Sequence, residues 1–169
     1  MSGNLRGKAW VFGSDINTDL MYPHICYTLP ESERPKYTMW ANRPGWPNLV
    51  ARGDILVAGK NFGVGSSRPA ASNLLGVGIS AVIAESLNGL FLRNAVNVGL
   101  YVFSAQVIRS IVKEGDQVEI DPIEGNFSNL TRGENITFKT LPRFMMNIVE
   151  AGGIIEVLKK NGYIDPEPL

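Results

Sequence analysis

The chain is short of the residues that most often carry chemistry alone. Of its 169 residues one is cysteine, Cys26, and one is histidine, His24. A single thiol excludes an internal disulfide and any zinc or iron–sulfur site built on several thiolates of this chain. If metal chemistry is involved, another subunit must hold the metal. Net charge is missing too: 16 Lys and Arg balance 16 Asp and Glu, leaving nothing to favour nucleic acid or an anionic membrane. No apolar run reaches the length of a membrane span, and the longest, "ISAVIA" and "DILVAG", are strand-sized. The N-terminal stretch "MSGNLRGKAWVFGSD" has no continuous apolar segment with a small-residue cleavage site, so the expected location is cytoplasmic. Three Asn-x-Ser/Thr sequons, at Asn126, Asn129 and Asn135, are then chance matches in a polar region.

With 44% hydrophobic and 19% charged residues, the chain has the make-up of a globular protein long enough to bury a core without disulfides. One domain is expected over residues 1–169, its core running from about Gly7 to Lys160. "KAWVFG" reads as a strand, "SDINTDLMYP" as a polar loop leading into an apolar piece, and "DILVAG" as a buried strand. "RPAASNLLGVG" reads as a helix with Pro69 in its first turn, closed by Gly76 or Gly78. "ISAVIAES" is the next buried strand, "NGLFLRNAVNVG" a second helix, "LYVFSA" a third strand, and "SAQVIRSIVKEGD" holds a helical turn. Residues 117–140 alternate with period two and are cut by Gly125 and Gly133, as in a hairpin or meander. "PRFMMNIVEAGGIIEVLKKNG" gives a helix to about Ala151, then a Gly-Gly break and a closing segment. Strands alternating with helices imply right-handed crossovers and a parallel core. The fold class expected is therefore α/β: three layers with a parallel core and a β-rich side. Residues 22–47, rich in proline and aromatics, offer only a short helix around Arg34 to Ala41. So long a connection is often functional.

"GKNFGVGSSRPAASNLLG", Gly59 to Gly76, is where chemistry concentrates. It fails the Walker pattern because Lys60 precedes asparagine, and the dinucleotide fingerprint because Arg68 stands where a third glycine belongs. The acyl-hydrolase elbow is absent as well. A glycine turn after a buried strand lets backbone approach a ligand, and the helix beginning near Pro69 turns its positive end toward the same place. Arg68 adds a planar fork suited to a carboxylate, with the hydroxyls of Ser66 and Ser67 beside it. The alternative is a plain strand–helix turn in which Ser66 or Ser67 caps the helix.

Elsewhere, "SDINTD" has the D-x-N-x-D spacing of a calcium loop, but Leu20 and Cys26 replace the glycine and glutamate such a loop needs. Local turn bonding by Asp15 and Asn17 is the favoured reading there. Arg93 and Asn94 could face the ligand site, with a helix-surface position as the alternative. His24 suits packing against aromatics better than proton transfer. Tyr27, Tyr37, Trp40 and Trp46 could line a pocket, cover a partner surface or cap the core.

Taken together, "GDILVAGKNFGVGSSR", "GISAVIAES…LFLRNAVNVGL", "SDINTDLMYP" and the C-terminal "NLTRGENITFKTLPRFMMNIVEAGGIIEVLKK" resemble the small subunits of 3-isopropylmalate dehydratase. These are the stand-alone form of the swivelling β/β/α domain of aconitase-type hydro-lyases, and the similarity runs from about Gly7 to Lys160. The resemblance implies a subunit active only with a large partner that carries the 4Fe-4S cluster, with no cofactor on this chain. It implies removal of water from a 2-hydroxy diacid and re-addition at the neighbouring carbon. Ser66 corresponds to the base that moves the Cα proton, Arg68 to the carboxylate ligand, and Ser67 and Gly65 to substrate-binding neighbours. Thr18 and Asp19 lie near the site, and Ile25, Cys26 and Tyr27 open the specificity loop. A serine is a weak base, so its alkoxide needs Arg68 and the helix N-terminus. Two features depart from the family. Pro69-Ala70-Ala71 replaces the usual Glu-His-Ala, and the specificity loop is longer and more aromatic. Arg34 and Arg43 lie far along that loop, which favours an uncharged substituent on the substrate. Dimethylmalate, citraconate or maleate, and homoaconitate are alternative substrates. A non-catalytic carboxylate-binding regulatory module is the alternative of a different class.

Overall fold

The structure, a computed structural model, describes residues 3–65 and 68–165. Its strands are β1 (Leu5–Val11), β2 (Ile55–Ala58), β3 (Ala81–Ala84), β4 (Tyr101–Ser104), β5 (Gln117–Asp121), β6 (Asn126–Asn129) and β7 (Glu134–Thr137). Its α-helices are α1 (Thr18–Met21), α2 (Ala70–Val77), α3 (Gly89–Asn97), α4 (Ile108–Ile111), α5 (Arg143–Glu150) and α6 (Ile154–Lys160). The strands form one sheet in the order β4-β3-β2-β1-β5-β6-β7. From β4 to β1 it is parallel, and from β1 to β7 antiparallel. β1 joins the two halves because its early residues, Leu5 to Lys8, pair with β5 while Ala9 to Val11 pair with β2. That is why it starts before the apolar stretch that marks it in sequence.

The period-two alternation of strand side chains builds two cores. Trp10, Leu56, Ala58, Val82, Ala84 and Val102 face α2 and α3, meeting Leu74, Phe91 and Ala95. Ala9, Ile55, Val57, Ala81, Ile83 and Phe103 face the other way, onto Val118, Ile120 and Phe127 of the antiparallel half. Helices, parallel strands and folded-over antiparallel strands thus make the three layers expected. The sheet curls far enough for Ser104, at the end of β4, to bridge Lys139, just after β7, with the Phe103 and Phe138 rings 4.7 Å apart.

Two expectations need correction. The residues after Asn17 are not loop: Thr18–Met21 form a helical turn capped by the Asn17 side chain, which accepts from Leu20 N. The short helix expected around Arg34 to Ala41 is a 3-10 helix lying a few residues earlier, Glu31–Tyr37, in a series with His24–Thr28 and Trp46–Leu49, pinned inward by the fully buried Cys26, Met39 and Trp46.

Candidate functional site

The parallel strands β1, β2 and β3 all point their C-terminal ends at one edge of the sheet, where the loops 12–17, 59–65 and 85–88 emerge. Pairing continues after the strands end. The glycine loop runs between its two neighbours: Asp15 N donates to Lys60 O at 2.8 Å, Gly63 N to Ile16 O at 2.8 Å and Thr18 N to Val64 O at 2.9 Å. On the other side Phe62 N donates to Ser86 O at 3.0 Å and Asn88 N to Phe62 O at 2.8 Å. The loop is therefore a hydrogen-bonded extension of the sheet. Its conformation demands glycine at Gly63, where φ is 81° and an added Cβ would run into the Phe91 ring. Gly65, with φ 107°, lies over Asn17 and Thr18. Asp15 and Asn61 both adopt φ 57°, and Asn61 Nδ2 donates to Asp15 Oδ1 at 2.9 Å.

The three residues of the D-x-N-x-D pattern thus have three separate tasks. Asp15 bonds to Asn61, Asn17 caps α1, and Asp19 pairs with Arg68. The last pairing is the centre of the site. Arg68 Nε lies 2.6 Å from Asp19 Oδ1, its Nη1 donates to Tyr22 O at 2.9 Å, and its guanidinium carbon is 5.6 Å from the Tyr27 ring centre. Carboxylate, carbonyl and aromatic ring hold one planar cation in one orientation. Holding it in advance lowers the entropy lost when an anion binds. Thr18 is buried beneath and Asp19 exposed.

Pro69 explains how the chain leaves the site. It is the N-cap residue of α2 rather than its first helical residue, with φ −74° and ψ 50° and no side-chain cap. Proline steers the residue before it out of the helical region, so the helix begins only after Arg68. Ala70 and Ala71 are buried against the helix-side core. Gly78, at φ 112°, closes the helix, and Gly76 lies within it. Ser66 and Ser67, the expected base and its neighbour, lie outside the described residues.

The start of the specificity loop divides. Ile25 and Tyr27 are about half exposed, at 45% and 54%. Cys26 turns inward, fully buried, and bonds to Arg34 O and Asn73. Burial pushes its thiol up from the usual range. Arg34 Nε donates to Leu29 O at 3.0 Å. Arg43 is committed to Glu114 through two bonds of 2.6 and 2.7 Å. His24 and Tyr27 are ring neighbours at 5.7 Å, Trp46 is core, and Trp40 is exposed. Arg93 is an exposed position on α3.

Residues 20–105 match the family model of the aconitase C-terminal domain. The chain is 45% identical over 163 residues to the isopropylmalate/citramalate isomerase small subunit of Methanocaldococcus jannaschii, covering 95% of this chain and 96% of that one. It is 42% identical over 160 residues to 3-isopropylmalate dehydratase small subunit 1 of Methanopyrus kandleri, covering 94% of each. The crystal structure of a 3-isopropylmalate dehydratase from Methanocaldococcus jannaschii superposes with a TM-score of 0.89 at 36% identity, over 95% of this chain and 96% of that chain. The chain belongs to the aconitase-type hydro-lyase small subunits.

Among the described residues no three His, Cys, Asp or Glu side chains converge, and the only thiol is buried. Two contributors to the site escape the motif. Tyr22 acts through its carbonyl, which leaves no mark on residue type. Asn73 bonds from α2 into the specificity loop. Its signal was an amide on the same helical face as Ala70 and Leu74, where an apolar residue is the rule.

Proposed function

We propose that this chain supplies half of a hydro-lyase active site, completed by a large subunit carrying a 4Fe-4S cluster. In this reading the enzyme dehydrates and rehydrates a 2-hydroxy diacid such as 3-isopropylmalate. The observation that carries it is Arg68, held by Asp19 and Tyr22 O at the open end of the parallel strands, directly after the glycine turn. Its rigid fork suits bidentate recognition of one substrate carboxylate. Ser66, two residues earlier, moves the Cα proton, and Ser67 and Gly65 border the bound substrate. The serine alkoxide that such a step needs calls for a nearby positive charge, which Arg68, two residues along the chain, can supply. The chemistry expected of the partner's cluster is Lewis-acid assistance to the departing hydroxyl.

The structure favours a substrate whose third substituent carries no charge. Two of the loop's cations are already paired with carboxylates, Arg43 with Glu114 and Lys36 with Glu33, and Arg34 Nε is bonded to Leu29 O. The exposed groups at the loop start are Ile25 and Tyr27, which suit an alkyl group. This weighs against a homoaconitate-type triacid. That a relative is named for both isopropylmalate and citramalate supports alkyl substituents of more than one size. Co-expression with a large iron–sulfur subunit and assay against a panel of alkyl-substituted malates, maleates and homoaconitate tests the reading. Turnover of an alkyl-malate with none of homoaconitate is expected. Carboxylate binding by the isolated chain, with no complex formed, would instead support a regulatory module.

A further inference from the structure

The specificity loop is attached to the helix that follows Arg68 by a buried polar contact. Asn73, in the second turn of α2, is 3% exposed. Its Nδ2 lies 3.3 Å from Met21 O, 3.3 Å from Arg34 O and 3.7 Å from Cys26 Sγ. Two N–H bonds are shared among three acceptors, all on the segment from Met21 to Arg34. Cys26 Sγ in turn lies 3.7 Å from Arg34 O, so amide and thiol together hold both ends of that segment. A second contact beside them is steric: a Cβ at Gly76 would run into the Pro35 ring, so α2 lies directly against the turn Glu31–Tyr37.

The segment so held carries the groups that surround Arg68. Tyr22 provides the carbonyl bonded to Nη1, Tyr27 the ring beside the guanidinium, and Tyr22 and Tyr27 pack edge to face at 5.1 Å. Ile25 and Tyr27 flank the inward-facing Cys26. A buried amide satisfied by apolar neighbours alone is unfavourable. Here every bond it donates is to this one segment, and an amide so engaged specifies where that segment lies.

We propose that Asn73 is a positioning residue for substrate selection: its amide fixes the loop so that Tyr27 stands beside Arg68 and Ile25 stays exposed at the start of that loop. It touches the loop, and the loop meets the substrate. The inference rests on the hydro-lyase reading only for its effect on substrate. The attachment itself can be read from the isolated chain.

Cys26, the chain's single thiol, is a built-in reporter. The test is the labelling rate of native protein by a thiol reagent, in the parent, Asn73→Leu and Asn73→Asp, with a melting curve for each. Leucine removes both donors, whereas aspartate keeps the shape and loses the N–H groups. Labelling is expected to rise about tenfold or more in both variants while a cooperative melt persists, as for local opening. Cys26 as slow to react in a folded variant as in the parent would overturn the attachment. If leucine prevents folding, the aspartate variant decides. In the complex with a large subunit, KM for the alkyl-malate is expected to rise about tenfold with kcat within about twofold, and discrimination between alkyl groups to fall. Fast labelling with unchanged KM and unchanged discrimination would overturn the role in selection. A parent complex with no activity would count against the hydro-lyase reading, leaving the labelling result to decide the attachment.

Discussion

Arg68 shows how a single side chain is held in one orientation. Its Nε faces Asp19, its Nη1 faces Tyr22 O, and the Tyr27 ring lies alongside. A lysine could satisfy only one of these directions, because its ammonium is a point charge on a flexible stem. Arg68→Lys in the reconstituted enzyme is therefore expected to raise KM by about tenfold to a hundredfold, read from steady-state kinetics. At this scale the motif was legible: "GSSR" and "NTD" each contain a residue of the Asp19–Arg68 pair. What was not legible was the contact to a backbone carbonyl, since Tyr22 O would be there with any residue at that position. The inward turn of Cys26 was equally hidden. Its neighbours in sequence are exposed, and only the packing of α2 against the loop decides which of the three faces in.

The glycine loop is a matter of element rather than residue. Its backbone is paired on both sides, to Ile16 and Thr18 across one edge and to Ser86 and Asn88 across the other. Gly63 permits that path because its positive φ brings the backbone against Phe91. Gly63→Ala adds both a strained conformation and a collision with a buried ring. A loss of about 2–4 kcal/mol is expected, measured by urea unfolding. The buried strands and the helices between them could be read from sequence because local periodicity and tertiary packing agree there. α1 could not, because four residues make a helix only with Asn17 as cap and Val64 as a bridging partner. The 3-10 turns of residues 24–49 were hidden for a similar reason. Proline interrupts any helical period, and the order comes from the side chains sunk into the core.

Across the whole molecule, the antiparallel half is locked by charge as well as by its apolar core. Asp116, at 5% exposed, accepts from Lys113 N, Asn129 Nδ2 and Arg132 Nε at 2.8, 2.8 and 2.6 Å. Burial alone would raise its pKa, but these bonds outweigh it and hold the carboxyl below the usual range. Glu114 is likewise lowered, chiefly by its bonds to Arg43. A carboxyl lowered on folding stabilises the fold fully above its unfolded pKa of about 4 and loses that contribution as pH falls through the folded value. Stability should therefore decline below about pH 4, and Asp116→Asn should flatten that decline. Urea midpoints from pH 7 downward check it, and an unchanged slope would show that Asp116 contributes no such linkage. The resemblance in sequence extends over nearly the whole chain, and so does the match of folds. The turnover of a complex between the large subunit and Ser66→Ala tests the central claim most directly. A loss of about 10²–10⁴-fold in kcat with the complex intact is the expected result. Full turnover would show that the proton is moved by another group, and that this loop only binds.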